Sequence, residues 1–92
     1  MKVKKKQDLK LSLSQTPSSG YTWLVVEQPD EFRAAHVEYI SDGSGRAGAR
    51  GTAVFTWGTH SVDAGVYDFV MGLRRGAQPA EETITFKVEV VD

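Results

Sequence analysis

The residues of this 92-residue chain that could do chemistry are two adjacent hydroxyls, Ser18 and Ser19, two histidines, His36 and His60, and a scatter of arginines and lysines. On paper, either serine, either histidine and an aspartate make a nucleophilic triad. Such triads are defined by geometry, which residue types alone do not supply. Two histidines in a strand-rich chain are ordinarily surface residues, so the expectation is that this is not an enzyme and has no catalytic residue. No metal site is expected either. His36 and His60 are far apart, no H-x-x-x-H pair occurs, and the chain has no cysteine. Gly43-Ser44-Gly45-Arg46-Ala47-Gly48 fits G-x-G-x-x-G by letter. That motif needs a strand before it and a helix after it. Here residues 52–57 follow, and they read as a strand, so the segment is expected to be a hairpin loop. No cofactor is called for.

A different use of the hydroxyls fits their neighbours better. Thr16-Pro17-Ser18-Ser19-Gly20-Tyr21-Thr22-Trp23 reads as a compact turn running into an aromatic strand. Proline fixes φ at the front, and glycine permits a positive φ at the end. The turn would hold two small polar side chains out to solvent on a stiff support, a shape suited to entering a narrow cleft.

Charge narrows the partners. Net charge is −1, which gives no overall attraction to nucleic acid or an acidic membrane. Residues 1–10 hold Lys2, Lys4, Lys5, Lys6 and Lys10 against Asp8, a local excess of four positive charges that leaves −5 on the remainder. This start is expected to be a lysine-guarded edge strand. A phosphate- or nucleic-acid-binding arm, joined by Arg46, Arg50, Arg74 and Arg75 in loops, is the alternative. Nucleic-acid binders also interleave exposed aromatics, whereas Trp23 and Trp57 fall on inward faces. No apolar run reaches the roughly 18–20 residues that span a bilayer. No hydrophobic stretch of signal-peptide type follows Met1. The expectation is export if the chain is a mature form, and the cytoplasm otherwise.

The elements that position these residues repeat with period two. Leu9, Leu11 and Leu13 share a face, as do Tyr21, Trp23 and Val25. The same holds for Ala53, Phe55 and Trp57, for Tyr67, Phe69, Met71 and Leu73, and for Ile84, Phe86, Val88 and Val90. Each is the pattern of a half-buried antiparallel strand. Asp30 can cap one short turn through Phe32 and Ala35, with a strand through Val37, Tyr39 and Ile40 after it. Turns fall at 15–20, 28–30, 41–51, 63–65 and 75–82. Six to eight short strands with glycine-rich turns predict a single all-β domain over residues 1–92, a β-sandwich. A chain of this length buries only about 60–65% of its unfolded surface, so its core is small. Loops 41–51 and 74–82 exceed what a strand connection needs, which marks them for function.

With three loops in this order, the chain resembles the chagasin-type inhibitors of papain-like cysteine peptidases. Their signature is N-P-T-T-G-Y-x-W, then G-x-G-G, then R-P-W or R-P-F. Pro17, Gly20, Tyr21 and Trp23 match the first motif, Ser18 and Ser19 keep its hydroxyls, and Thr16 replaces asparagine. Gly48-Ala49-Arg50-Gly51 follows the second, with Arg50 for a glycine. Arg75 matches the third, but Gly76 and Ala77 stand where proline and the aromatic belong. The resemblance runs from Leu9 to Val91. It implies an immunoglobulin-like sandwich of seven to eight strands. It also implies that Thr16 to Gly20 enter the protease cleft, with Gly48 to Gly51 and Arg74 to Ala77 gripping on either side. The partner would be a papain-like peptidase and the inhibitor a monomer. An aromatic at Ala77 would be worth about 2 kcal/mol or more at an interface, and proline at Gly76 would stiffen the loop. Weaker or narrower inhibition is therefore expected. A non-inhibitory interaction module on the same scaffold is the rival from another class.

Overall fold

A computed structural model describes residues 1–15, 20–41 and 51–92. Period-two patterning becomes seven strands: β1 (Lys2–Lys4), β2 (Leu9–Gln15), β3 (Tyr21–Glu27), β4 (His36–Ser41), β5 (Gly51–Trp57), β6 (Gly65–Arg75) and β7 (Glu82–Val91). They form two sheets, one ordered β1-β7-β6-β3 and the other β2-β5-β4. The pairings are antiparallel except β1 with β7, which is parallel. The result is an all-β sandwich, as the alternation predicts, and it is immunoglobulin-like, as the family resemblance implies.

The alternating faces meet as one aromatic core. Trp57 and Phe69 touch edge to face at 5.0 Å, and Phe69 stacks on Phe86 at 5.2 Å. Phe32 closes the core from the β3–β4 connection, edge-on to Tyr67 at 5.2 Å and to Phe69 at 4.9 Å. Such contacts add to the hydrophobic gain of burying the rings. Gln28 anchors this lid. It accepts a hydrogen bond from the Trp57 indole N–H at 3.0 Å, and its amide donates to the carbonyls of Phe32 and Arg33, each at 3.0 Å. The turn around Asp30 thus exists, and its fastening is Gln28.

The strand expected through Val37, Tyr39 and Ile40 is β4, and two other expectations change in detail. Val37 and Tyr39 share the inward face with their register partners Phe55 and Ala53, yet they stay 54% and 41% exposed. β4 is the outer strand of the smaller sheet, so its side chains have a strand neighbour on one side only. Ile84 is likewise 38% exposed near the start of β7. Finally, Arg74 and Arg75 end β6, Gly51 begins β5 and Glu82 begins β7, so all four are strand residues instead of loop residues. Pairing holds them: Thr22 lies opposite Arg74, Tyr21 opposite Arg75, Leu73 opposite Glu82, and Gln15 and Ser41 flank Gly51. At the start of the chain, Val3 is buried between exposed Lys2 and Lys4 on an edge strand, the guarded edge the lysines predict.

Replacing Gln28 with alanine strips the partner from the Trp57 indole and from two carbonyls. It should cost about 1–3 kcal/mol. Lys87→Ala removes an exposed cross-strand ion pair with Asp68 and should change stability by under about 1 kcal/mol. Urea unfolding of both variants checks this, and equal losses would contradict the role given to Gln28.

Candidate functional site

The sandwich brings one end of each sheet together. In the smaller sheet, Gln15, Gly51 and Ser41 lie side by side across β2, β5 and β4. In the larger, Tyr21 lies beside Arg75, and Leu73 beside Glu82. The chain crosses between the sheets from Gln15 to Tyr21, and Trp23 fastens that crossing. Its backbone N–H donates to Gln15 Oε1 at 3.3 Å and its indole N–H to the Ser14 carbonyl at 3.0 Å. Connections β2–β3, β4–β5 and β6–β7 therefore all leave from this end.

Of the predicted site residues, Gly20, Gly51, Arg74, Arg75, Gly76 and Ala77 are placed here. Thr16, Pro17, Ser18, Ser19, Gly48, Ala49 and Arg50 lie outside the described residues, as does the whole of 42–50 with Arg46. Gly20 has φ +79°, the left-handed conformation that glycine adopts without penalty. This is the positive φ its sequence setting asks for. Gly51 is glycine for a different reason. A Cβ there would fall on the Tyr39 hydroxyl and 2.6 Å from the Ile40 carbonyl oxygen. Gly76 has φ +57° and open space around it. Both Gly76 and Ala77 are exposed at the tip of the β6–β7 connection, which is closed by Gln78 N–H donating to Arg75 O at 3.2 Å.

Two side chains absent from the sequence prediction shape the site. Glu81 accepts a hydrogen bond from the Tyr21 hydroxyl at 2.9 Å. Gln15 holds Trp23. Neither carries a local signal, since each contact joins segments apart in the chain. The hydrogen bond to Glu81, and then the negative charge of that carboxylate, raise the Tyr21 phenol above its ordinary 10.0, with Arg75 pulling the other way. The Arg75 guanidinium sits 6.0 Å from the Tyr21 ring centroid.

His36 and His60 fall at the opposite end of the sandwich, where β4 begins and β5 gives way to β6. His60 lines a cleft there with Glu31, Arg33 and Val62. Among the described residues, no group of three or more His, Cys, Asp and Glu side chains could hold a metal ion.

With this frame in place the comparisons are specific. The sequence matches the family described as Chagasin family peptidase inhibitor I42 over residues 2–90. The chain belongs to the chagasin family of peptidase inhibitors. Two solved structures share the family member's fold. One is the cysteine protease inhibitor EhICP2 from Entamoeba histolytica, with a TM-score of 0.73 and 19% identity over 97% of this chain and 86% of that one. The other is Amebosin, with a TM-score of 0.70 and 24% identity over 99% of this chain and 85% of that one. No curated protein matches the sequence. Membership places the chain among inhibitors and not among enzymes.

Two outcomes follow from this geometry. Gly51→Ala should destabilise by roughly 1–3 kcal/mol, as overpacking does, and thermal unfolding reads it; a neutral variant would mean that Tyr39 gives way freely. The raised phenol of Tyr21 contributes stability that is fully present below pH 10 and is lost as pH rises through its higher folded value. Denaturant unfolding between pH 9 and 12 should fall less steeply in Tyr21→Phe than in the parent, and identical slopes would remove Tyr21 from the alkaline transition.

Proposed function

We propose that this protein is a reversible inhibitor of papain-like cysteine peptidases, acting as a monomer and a single domain. The first loop, 16–20, is the wedge, and segments 43–51 and 74–82, each a connection with the strand ends that bound it, flank it. The observation that carries this is that the strand ends bounding the three connections lie together at one end of the sandwich, in a chain of the chagasin family.

Each side of the wedge has a fixed post. Gln15 is paired in β2 and accepts from Trp23 N–H. Gly20 leads directly into β3 with its φ set. A short loop strung between two fixed posts loses little entropy on binding. Small hydroxyl side chains at 18 and 19 enter a cleft without a clash, while the main chain supplies hydrogen bonds. Inhibition without cleavage follows if no loop carbonyl meets the catalytic thiolate in attack geometry. The thiolate then faces a ligand that cannot acylate it, and the complex dissociates intact.

The third loop sets the strength. Gly76 and Ala77 are exposed and small, so the tip of this loop offers no aromatic anchor to bury against the protease. Inhibition is accordingly weaker or narrower than in a relative with R-P-W.

A steady-state titration of papain and of a cathepsin L-type enzyme tests the reading. Inhibition is expected, and Ser18→Glu/Ser19→Glu should weaken it roughly a hundredfold or more, because carboxylates would be desolvated without partners. Circular dichroism of the variant must match the parent. A folded parent protein that leaves both enzymes fully active at high micromolar concentration would overturn general inhibition and favour an interaction module with another target. Equal potency of parent and variant would overturn the wedge.

A further inference from the structure

The third loop lacks the residues that would let its tip anchor to a partner, but its base is built with care. The Glu81 backbone N–H donates to the Leu73 carbonyl at 2.9 Å, which fixes this residue just before β7 begins. From that point its carboxylate reaches Tyr21, 60 residues earlier, and accepts the phenol proton at 2.9 Å. Tyr21 is the first residue of β3 and directly follows the last residue of the first loop. On its other side stands Arg75, the register partner of Tyr21. The Arg75 stem runs past Gly20, close enough that a Cβ at Gly20 would lie 3.7 Å from its Cγ and Nε. The junction of the first loop with β3 is thus gripped from both ends of the third connection, by Arg75 at its start and Glu81 at its finish.

We propose that Glu81 is a positioning residue for inhibition. By holding Tyr21 it fixes the exit of the first loop, so that in this chain the third loop works as a buttress for the wedge. This rests on the inhibitory reading above and deepens it. The argument is one of pre-organisation: a loop whose exit is free loses more conformational entropy on entering a cleft. The chemistry of the third loop then faces inward, toward Tyr21, where its tip residues Gly76 and Ala77 offer a partner almost no side chain. Glu81 would not need to touch the protease at all.

The test has two arms. In the free protein, amide hydrogen exchange is followed in the parent, Glu81→Ala, Glu81→Gln and Tyr21→Phe. Glu81→Ala and Tyr21→Phe should each speed exchange around Gly20 to Thr22 by roughly tenfold, with β5 unchanged. Glu81→Gln should stay near the parent, since its amide oxygen still accepts from the phenol. In the second arm, inhibition of papain is measured for the same variants and for the double variant Tyr21→Phe/Glu81→Ala. Each of Tyr21→Phe and Glu81→Ala should weaken inhibition about fivefold to tenfold, the double variant no more than either, and Glu81→Gln should restore most of it. Additive losses, or Glu81→Gln as weak as Glu81→Ala, would mean that Glu81 meets the protease directly, and would overturn the buttress. Unchanged exchange in Glu81→Ala would overturn it whatever the inhibition. A parent that inhibits nothing removes the inhibitory reading and the effect of Glu81 on potency, while the exchange arm still decides whether Glu81 holds the first loop.

Discussion

The end of the sandwich that carries the β2–β3, β4–β5 and β6–β7 connections hangs on how the chain changes sheets. Between Gln15 and Tyr21 it leaves the smaller sheet and enters the larger, and Trp23 clamps the crossing through its indole and its backbone N–H. A tryptophan suits this post because it combines a large apolar face with one directed donor. Here the face packs against the core, and the donor reaches back to the strand just left. If that clamp opens, the first loop loses its two fixed ends, and the alignment of the neighbouring loops loses its reference.

The rest of the sandwich supports that clamp in a graded way. At the far end, Gln28 ties the Phe32 turn onto Trp57. In the middle, Phe69 is held between Phe32, Trp57 and Phe86. Among the described residues no buried side-chain nitrogen or oxygen is left without a hydrogen-bond partner. Even Thr59, the buried polar residue, donates to Gln7 O at 2.6 Å. A small core of this kind tolerates no loose polar group, since each would cost a sizeable fraction of a marginal stability.

The strands were legible because alternation is a local signal. Ala53, Phe55 and Trp57 are buried as their spacing requires. The glycine before Tyr21 was legible too, since a turn closing on glycine calls for the positive φ that Gly20 has. What stayed hidden was relational. Nothing near Val37 or Tyr39 says that β4 lies at a sheet edge, so their exposure follows only from strand order. Glu81 looks like any loop carboxylate until folding brings Tyr21 to it across 60 residues. Arg74 and Arg75 read as loop residues because the charged run and the glycine after it mask a strand end, and their pairing with β3 is a long-range fact. Gly51 was marked by the family motif, but its physical reason, the Tyr39 ring, belongs to the neighbouring strand.

Antibody domains of similar architecture rivet their sheets with a disulfide packed on a tryptophan. This chain has no cysteine, and its sheets meet through the contacts of Phe69 with Trp57 and Phe32. Thiol reductants therefore find nothing in it to break. A cysteine peptidase attacks with a free thiolate, which oxidation disables, so reducing conditions favour it. A scaffold closed by aromatic rings keeps its shape under those same conditions, and it has no thiol of its own to form a mixed disulfide with a reactive cysteine.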